Sequence, residues 1–222
     1  MGSAPLNDLL DLLAPSRCLA CRARAAVPWC RDCAGQVRQL PPGCDRCAAP
    51  HGSAHACWPA DAPVAATVAL YDYRGPVAAA VTTAKVAGAT AAWPALGERL
   101  AERVADAGTQ ADVVTWVTTP GQRARARGVD HARVLAQAVG GRLTIPVSRL
   151  LEARPSRAGD RYHACLRLPG THVLLVDDVV TTGATAWRAA ATLRAAGADR
   201  VELAVLARAG SHVLGAATRR PA

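Results

Sequence analysis

The chain reads as an α/β protein: a parallel sheet flanked by helices, preceded by a small cysteine-rich zinc ribbon. Three observations predict this. Val173–Val176 is a short apolar run of the kind that forms a buried parallel strand. A hydroxyl-rich turn, an Ala- and Leu-rich helical pattern from about Ala184 to Ala196, a capping Gly197 and a second apolar run, Val201–Leu206, follow it. A second strand–loop–helix unit precedes it, with a strand at Asp112–Val117 and a helix at Val129–Val139. Seven of the eight cysteines crowd into residues 18 to 57.

The turn after Val176 carries the most chemistry. Asp177 and Asp178 stand where the strand is expected to end, followed by Val179, Val180, Thr181, Thr182, Gly183, Ala184 and Thr185. Hydroxyls, backbone N–H groups and the positive end of a helix form a cradle for a phosphate. Paired carboxylates beside it suit vicinal sugar hydroxyls, or a Mg2+ shared with the ligand. No lysine follows the glycine, so the pattern is not that of a nucleotide-triphosphate loop, and no GxGxxG is present for a dinucleotide.

The cysteines form three Cys-x2-Cys knuckles, Cys18/Cys21, Cys30/Cys33 and Cys44/Cys47, with Cys57 alone after them. This spacing favours zinc over disulfides, and four thiolates around zinc make a closed, structural site. Cys18, Cys21, Cys30 and Cys33 make one complete set. Cys44, Cys47 and Cys57 are one ligand short, and His51, His55 and Asp61 are the candidates to complete it. Pro28, Pro41, Pro42, Gly43 and Pro50 punctuate the segment as a ribbon of tight turns requires. So short a segment buries little core, so metal has to supply folding energy. Cys165 lies outside the cluster and reads as a small buried hydrophobe.

The organisation expected is a helical leader at 1–15, the ribbon at 16–62, an α/β domain at 63–210 and a tail at 211–222. Within the domain, Val64–Tyr73 reads as a strand, Pro76–Lys85 and Pro94–Ala107 as helices. The loop after Asp112–Val117 holds Thr119, Pro120, Arg123, Arg127 and Gly128, whose amides and guanidiniums suit a pyrophosphate. The chain carries a net charge of +9, almost wholly as arginine, Lys85 being the single lysine. Arg123 to Arg161 holds nine arginines against Asp130, Glu152 and Asp160, a distribution suited to polyanions. No apolar stretch approaches membrane-spanning length, and the start lacks the basic region of a secretory signal, so a cytoplasmic location is expected.

The V-L-L-V-D-D-V-V-T-T-G-A-T run, Val173 to Thr185, closely resembles the phosphoribosyl-pyrophosphate (PRPP) loop of type I phosphoribosyltransferases. The resemblance implies that Asp177 and Asp178 bind the ribose hydroxyls and that the turn from Val179 to Thr185 binds the 5′-phosphate. With the cysteine knuckles, Tyr71, Tyr73, Lys85-Val-Ala-Gly88 and Arg127-Gly128-Val129-Asp130-His131, the likeness narrows to the ComF family. These are phosphoribosyltransferase-like proteins linked to competence and DNA uptake. That likeness implies a PRPP pyrophosphate site at Thr119, Pro120, Arg123, Arg127, Gly128 and Lys85, with Mg2+ accompanying PRPP and structural Zn2+ in the ribbon.

The chain departs from that pattern in three places. Ala60 stands where the last knuckle has a cysteine; Val129, Asp130 and His131 replace an aromatic and two amides; and Leu151–Leu168 is short for a lid. Water exclusion depends on a lid, so slow or undetectable transfer is expected even where PRPP binds, with slow PRPP hydrolysis ahead of efficient transfer. No residue reads as a convincing general base: His131 and His163 are the histidines available, and each reads first as structural or solvent-facing. The functions in competition are transfer of ribosyl 5-phosphate to an acceptor, binding of single-stranded DNA or a competence partner, and PRPP sensing. With no Phe, five Trp and three Tyr, stacking platforms for single-stranded bases are scarce.

Overall fold

The computed structural model describes residues 17–25, 28–51, 57–87, 92–118, 130–153 and 162–210. The expected leader and tail, His55, and residues 119–129 and 154–161 lie outside them; of Lys85 only its place in a helix is described.

The described elements are α1 (Arg31–Ala34), β1 (Ala66–Asp72), α2 (Gly75–Ala87), α3 (Trp93–Asp106), β2 (Val113–Trp116), α4 (His131–Leu143), β3 (Leu151–Ala153), β4 (Tyr162–Ala164), β5 (His172–Val180), α5 (Ala184–Ala195) and β6 (Arg200–Arg208). Four strands form one sheet in the order β1-β6-β5-β2, every pair parallel. Beyond β2, Val147 makes a parallel bridge to Val114, extending the sheet by one short segment. β3 and β4 form a separate antiparallel ribbon.

Parallel strands must be covered on both faces, which explains their near-continuous apolar runs. One face packs Val176, Leu174 and Ala204 with Val81, Leu96, Leu100 and Leu135 of the helices α2, α3 and α4. The other packs Val173, Leu175, Leu203 and Val205 with Ala186, Ala190 and Leu193 of α5 and with Leu151 and Tyr162 of the β3–β4 ribbon.

The central strands outrun their apolar segments. β5 was expected to end at Val176 but continues through both acids to Val180, because Asp177, Val179 and Val180 pair with Val205, Ala207 and Arg208 of β6. Beyond Val176 the strand keeps its ladder to β6 alone, and that backbone pairing carries it on, so side-chain polarity does not end it. β6 likewise runs beyond Val201–Leu206, its last residue pairing with Asp72 of β1. α4 begins at His131 rather than Val129, since the Asp130 side chain caps it by accepting a bond from the Arg133 N–H at 3.4 Å.

The cysteine-rich segment docks on the outer edge of β1. Leu40 N–H donates to the Leu70 carbonyl at 2.9 Å, Asp72 N–H donates to the Arg38 carbonyl at 3.0 Å, and Gln39 bridges Tyr71 in antiparallel sense. Thr67 N–H and its hydroxyl donate to the carbonyls of Asp45 and Arg46, each at 2.7 Å. The ribbon thus occupies backbone groups that an edge strand otherwise presents for intermolecular pairing. Cys165 corrects a sequence expectation: it is exposed, because it follows β4 at the rim of the ribbon rather than within a core.

Candidate functional site

The C-terminal ends of β2 and β5 and the start of α5 meet at one edge of the sheet, the crevice where open α/β sheets place their ligands. Asp177 and Asp178 are consecutive strand residues, so their carboxylates leave the sheet on opposite faces. Asp177 is buried and its carboxylate accepts the Asp178 N–H at 2.8 Å; Asp178 is half-buried.

Val179 and Val180 still belong to the strand, and the bend begins at Thr181. Gly183 has a φ of 77°, the left-handed region that a residue with a Cβ rarely enters, and it stands at the N-cap of α5. It offers no capping side chain, and the first turn of α5 contains no acid. The Thr182 hydroxyl accepts the Ala184 N–H at 3.4 Å, while Thr181 is exposed. A short turn rich in N–H and hydroxyl groups therefore opens at the positive end of a helix, an arrangement that holds an anion.

Two further groups belong to this corner, Asp130 and Thr118, neither of which the sequence pattern assigns to the site. Asp130 accepts the Trp116 indole N–H at 3.1 Å as well as capping α4. Burial pushes its carboxyl above the usual carboxylate range, the bonds from Arg133 and Trp116 oppose this, and the charge of Asp178 adds to the rise. Thr118, just past β2, is buried, and its hydroxyl has no hydrogen-bond partner among the described residues. A strand-end hydroxyl in a Thr-Thr-Pro-Gly run was the available signal for Thr118. For Asp130 the signal was the Asp-x-x-Arg start of a helix.

Of the two candidate bases, His131 is buried with its ring 4.6 Å from that of Trp93, and His163 is exposed on β4. Thr119, Pro120, Arg123, Arg127 and Gly128, the expected pyrophosphate set, lie outside the described residues.

Asp130→Ala should cost about 1 kcal/mol near neutral pH, the usual loss for an N-cap. The sign of its pH dependence follows from the raised carboxyl. The stability tied to Asp130 is fully present below the ordinary carboxylate range and is lost as pH rises through the raised value. The gap between wild type and Asp130→Ala should therefore widen toward acid. Denaturant melts of both proteins at acid and neutral pH measure it, and a gap that narrows toward acid would refute the assignment.

The metal centres are legible in geometry. The sulfurs of Cys18, Cys21, Cys30 and Cys33 lie within 4.8 Å of one another, as do those of Cys44, Cys47 and Cys57. The Cys21–Cys30 and Cys44–Cys57 sulfurs are each 3.6 Å apart, too far for a disulfide and close to the edge of about 3.8 Å of a tetrahedron with zinc–sulfur bonds near 2.3 Å. Burial pushes Cys18 up, yet the N–H groups of Cys21, Cys30 and Ala20 outweigh it and bring the thiol down to about 6. Burial and the neighbouring sulfurs push Cys33 well up, and burial leads in pushing Cys47 up to about 12. Thiols so opposed to one another ionise together only around a cation, so the donor set fits structural zinc. Among the described residues, neither His51 nor Asp61 joins the three-sulfur set.

Comparison with known proteins gives the same two parts. Residues 124–214 match the family model of the phosphoribosyl transferase domain, and residues 9–60 that of the double zinc ribbon domain. No curated protein matches the chain. Similar solved structures include the glutamine PRPP amidotransferase of B. subtilis, at 26% identity and a TM-score of 0.41, over 51% of this chain and 25% of that one. A purine phosphoribosyltransferase from Pyrococcus horikoshii is 21% identical, with a TM-score of 0.39, over 52% of this chain and 72% of that one. A hypoxanthine phosphoribosyltransferase from Staphylococcus aureus is 12% identical, with a TM-score of 0.39, over 52% and 62%. The chain thus spans about a quarter of the length of the B. subtilis enzyme. No helix among the described residues is long and apolar enough to cross a membrane. The chain carries a phosphoribosyltransferase-type α/β domain, its parallel sheet flanked by helices, behind a cysteine-rich double zinc ribbon.

Proposed function

We propose that the chain binds PRPP at the edge formed by β5 and α5 and transfers its ribosyl 5-phosphate slowly to an acceptor. The observation that carries this is the Asp177–Asp178 pair near the end of β5, followed within five residues by the left-handed Gly183 at the N-terminus of α5. In this reading the two carboxylates hold the ribose 2′- and 3′-hydroxyls, and Thr181, Thr182, Gly183, Ala184 and Thr185 hold the 5′-phosphate. Val179 and Val180 lead into that turn as its rigid base. Thr119, Pro120, Arg123, Arg127, Gly128 and Lys85 are assigned to the pyrophosphate.

The carboxylate of Asp178, with that of Asp130 near it, offers oxygens that suit a hard divalent cation. Mg2+ bound there with PRPP would neutralise the leaving pyrophosphate. Catalysis would rest on orientation and charge stabilisation, since neither histidine is placed as a base for the acceptor. The ComF likeness extends the reading to competence and DNA uptake. The net charge of +9 and the nine arginines from Arg123 to Arg161 favour a second role on single-stranded DNA.

Thermal melts of the zinc-loaded chain test the binding. PRPP with Mg2+ at roughly a hundred times its dissociation constant should stabilise the fold by about 2.7 kcal/mol. Ribose 5-phosphate should stabilise it less, and an oligonucleotide should not compete. An unchanged melt with PRPP, or displacement of its effect by single-stranded DNA, would overturn this reading in favour of a DNA-backbone surface. Thr182→Val should weaken the PRPP effect, since a hydrogen bond to a charged group is worth about 1.5–3 kcal/mol. An equal shift in that variant would remove Thr182 from the site.

A further inference from the structure

We infer that Trp58, the residue after the last ribbon cysteine, is a positioning residue for the phosphate turn. Through it, metal at Cys44, Cys47 and Cys57 sets how well that turn is ordered. The inference rests on the PRPP reading for its functional meaning, but the coupling itself is a property of the fold.

The ribbon and the turn are in direct contact. The Trp58 indole is buried and lies over Gly183, so closely that a Cβ there would stand 3.0 Å from Cζ2 and 3.2 Å from Nε1. A Cβ there would be tighter than ordinary contact and would press the indole aside by a few tenths of an ångström, which gives Gly183 a packing reason beyond its φ of 77°. The same indole meets Trp187, in the first turn of α5, edge to face, with centroids 6.4 Å apart and planes at 75°. Trp58 therefore touches both the cap of α5 and its opening turn.

A second strut reaches the other side of the turn. Arg208, at the end of β6, is buried and donates from Nε to the Cys47 carbonyl at 2.7 Å and from Nη1 to the Ala209 carbonyl at 3.1 Å. Arg208 pairs with Val180, the last residue before the bend, and Ala209 N–H donates to the Val180 carbonyl at 2.9 Å. The entrance to the turn is thus tied to Cys47 and its exit to the residue after Cys57. Both ties start from the three-sulfur cluster. Cys47 and Trp58 are each packed into the core beneath α5 and β6, and a metal shared by Cys44, Cys47 and Cys57 would link these two points and hold them in register.

Hydrogen exchange on the full zinc-loaded chain tests this without any ligand. In Trp58→Ala, amides from Thr181 to Trp187 should exchange about tenfold faster, the size of losing one local packing contact, while α3 and β2 keep wild-type rates. Cys57→Ser should release the same amides. Trp58→Phe, which keeps a ring but not the indole edge over Gly183, should fall between wild type and Trp58→Ala. It also carries the test if Trp58→Ala does not fold. Wild-type exchange at the turn in Trp58→Phe and in Cys57→Ser, or an equal rise in every segment, would overturn the inference. Calorimetry with PRPP and Mg2+ on wild type separates the two claims. Absent binding removes the PRPP reading and leaves the exchange result standing; present binding should weaken about tenfold in Trp58→Ala, in step with the turn.

Discussion

Replacing Cys18 and Cys33 together by serine is expected to leave the chain insoluble. The four sulfurs of that set lie within 4.8 Å of one another and pin together the turns that carry the buried Cys18, Leu19 and Cys33. Structural zinc supplies about 10 kcal/mol or more to small metal-bound folds, so without it the ribbon loses its largest single source of folding free energy. The consequence extends into the α/β domain. Residues 38–40 and 45–46 occupy the outer edge of β1, and their release uncovers a parallel-sheet edge ready to pair with another chain. Aggregation, rather than a soluble domain without its ribbon, is therefore the expected outcome. Metal analysis of protein purified without added zinc should find about one to two equivalents per chain. Less than about half an equivalent, together with a soluble double mutant of unaltered melting, would contradict a structural role for the metal.

The second large effect is at the acids. Asp177→Asn with Asp178→Asn should abolish PRPP binding and leave the melting transition nearly unchanged. Neither substitution removes a backbone ladder bond, because β5 is held by β6 through its main chain. The two carboxylates offer charged acceptors to the ribose hydroxyls, and each such bond is worth about 1.5–3 kcal/mol. Losing two of them lowers affinity by roughly two to four orders of magnitude, at about 1.4 kcal/mol per tenfold. Equal affinity in wild type and double mutant, by calorimetry, would remove Asp177 and Asp178 from the site.

Much of this was legible from sequence because the signals were local. The apolar runs and the glycine after two threonines placed β5, the turn and α5. The Cys-x2-Cys spacings grouped Cys18, Cys21, Cys30 and Cys33 correctly. What local pattern could not supply was pairing. β5 extends to Val180 because β6 lies beside it, and no property of Asp177 or Asp178 announces that. Asp130 read as a departure from a family pattern, yet its carboxylate bonds Trp116 across fourteen residues. Trp58 read as one more aromatic, and its contact with Gly183 spans more than half the chain. Such contacts are written in two distant places at once, and neither place carries the signal alone.

The central claim is that β5 and α5 form a PRPP site. Calorimetric titration of the zinc-loaded chain with PRPP and Mg2+ tests it most directly. The account predicts saturable binding of about one PRPP per chain, weaker binding of ribose 5-phosphate and none in the Asp177→Asn, Asp178→Asn protein. Absence of saturable binding up to millimolar PRPP, in protein shown by metal analysis to carry its zinc, would contradict it.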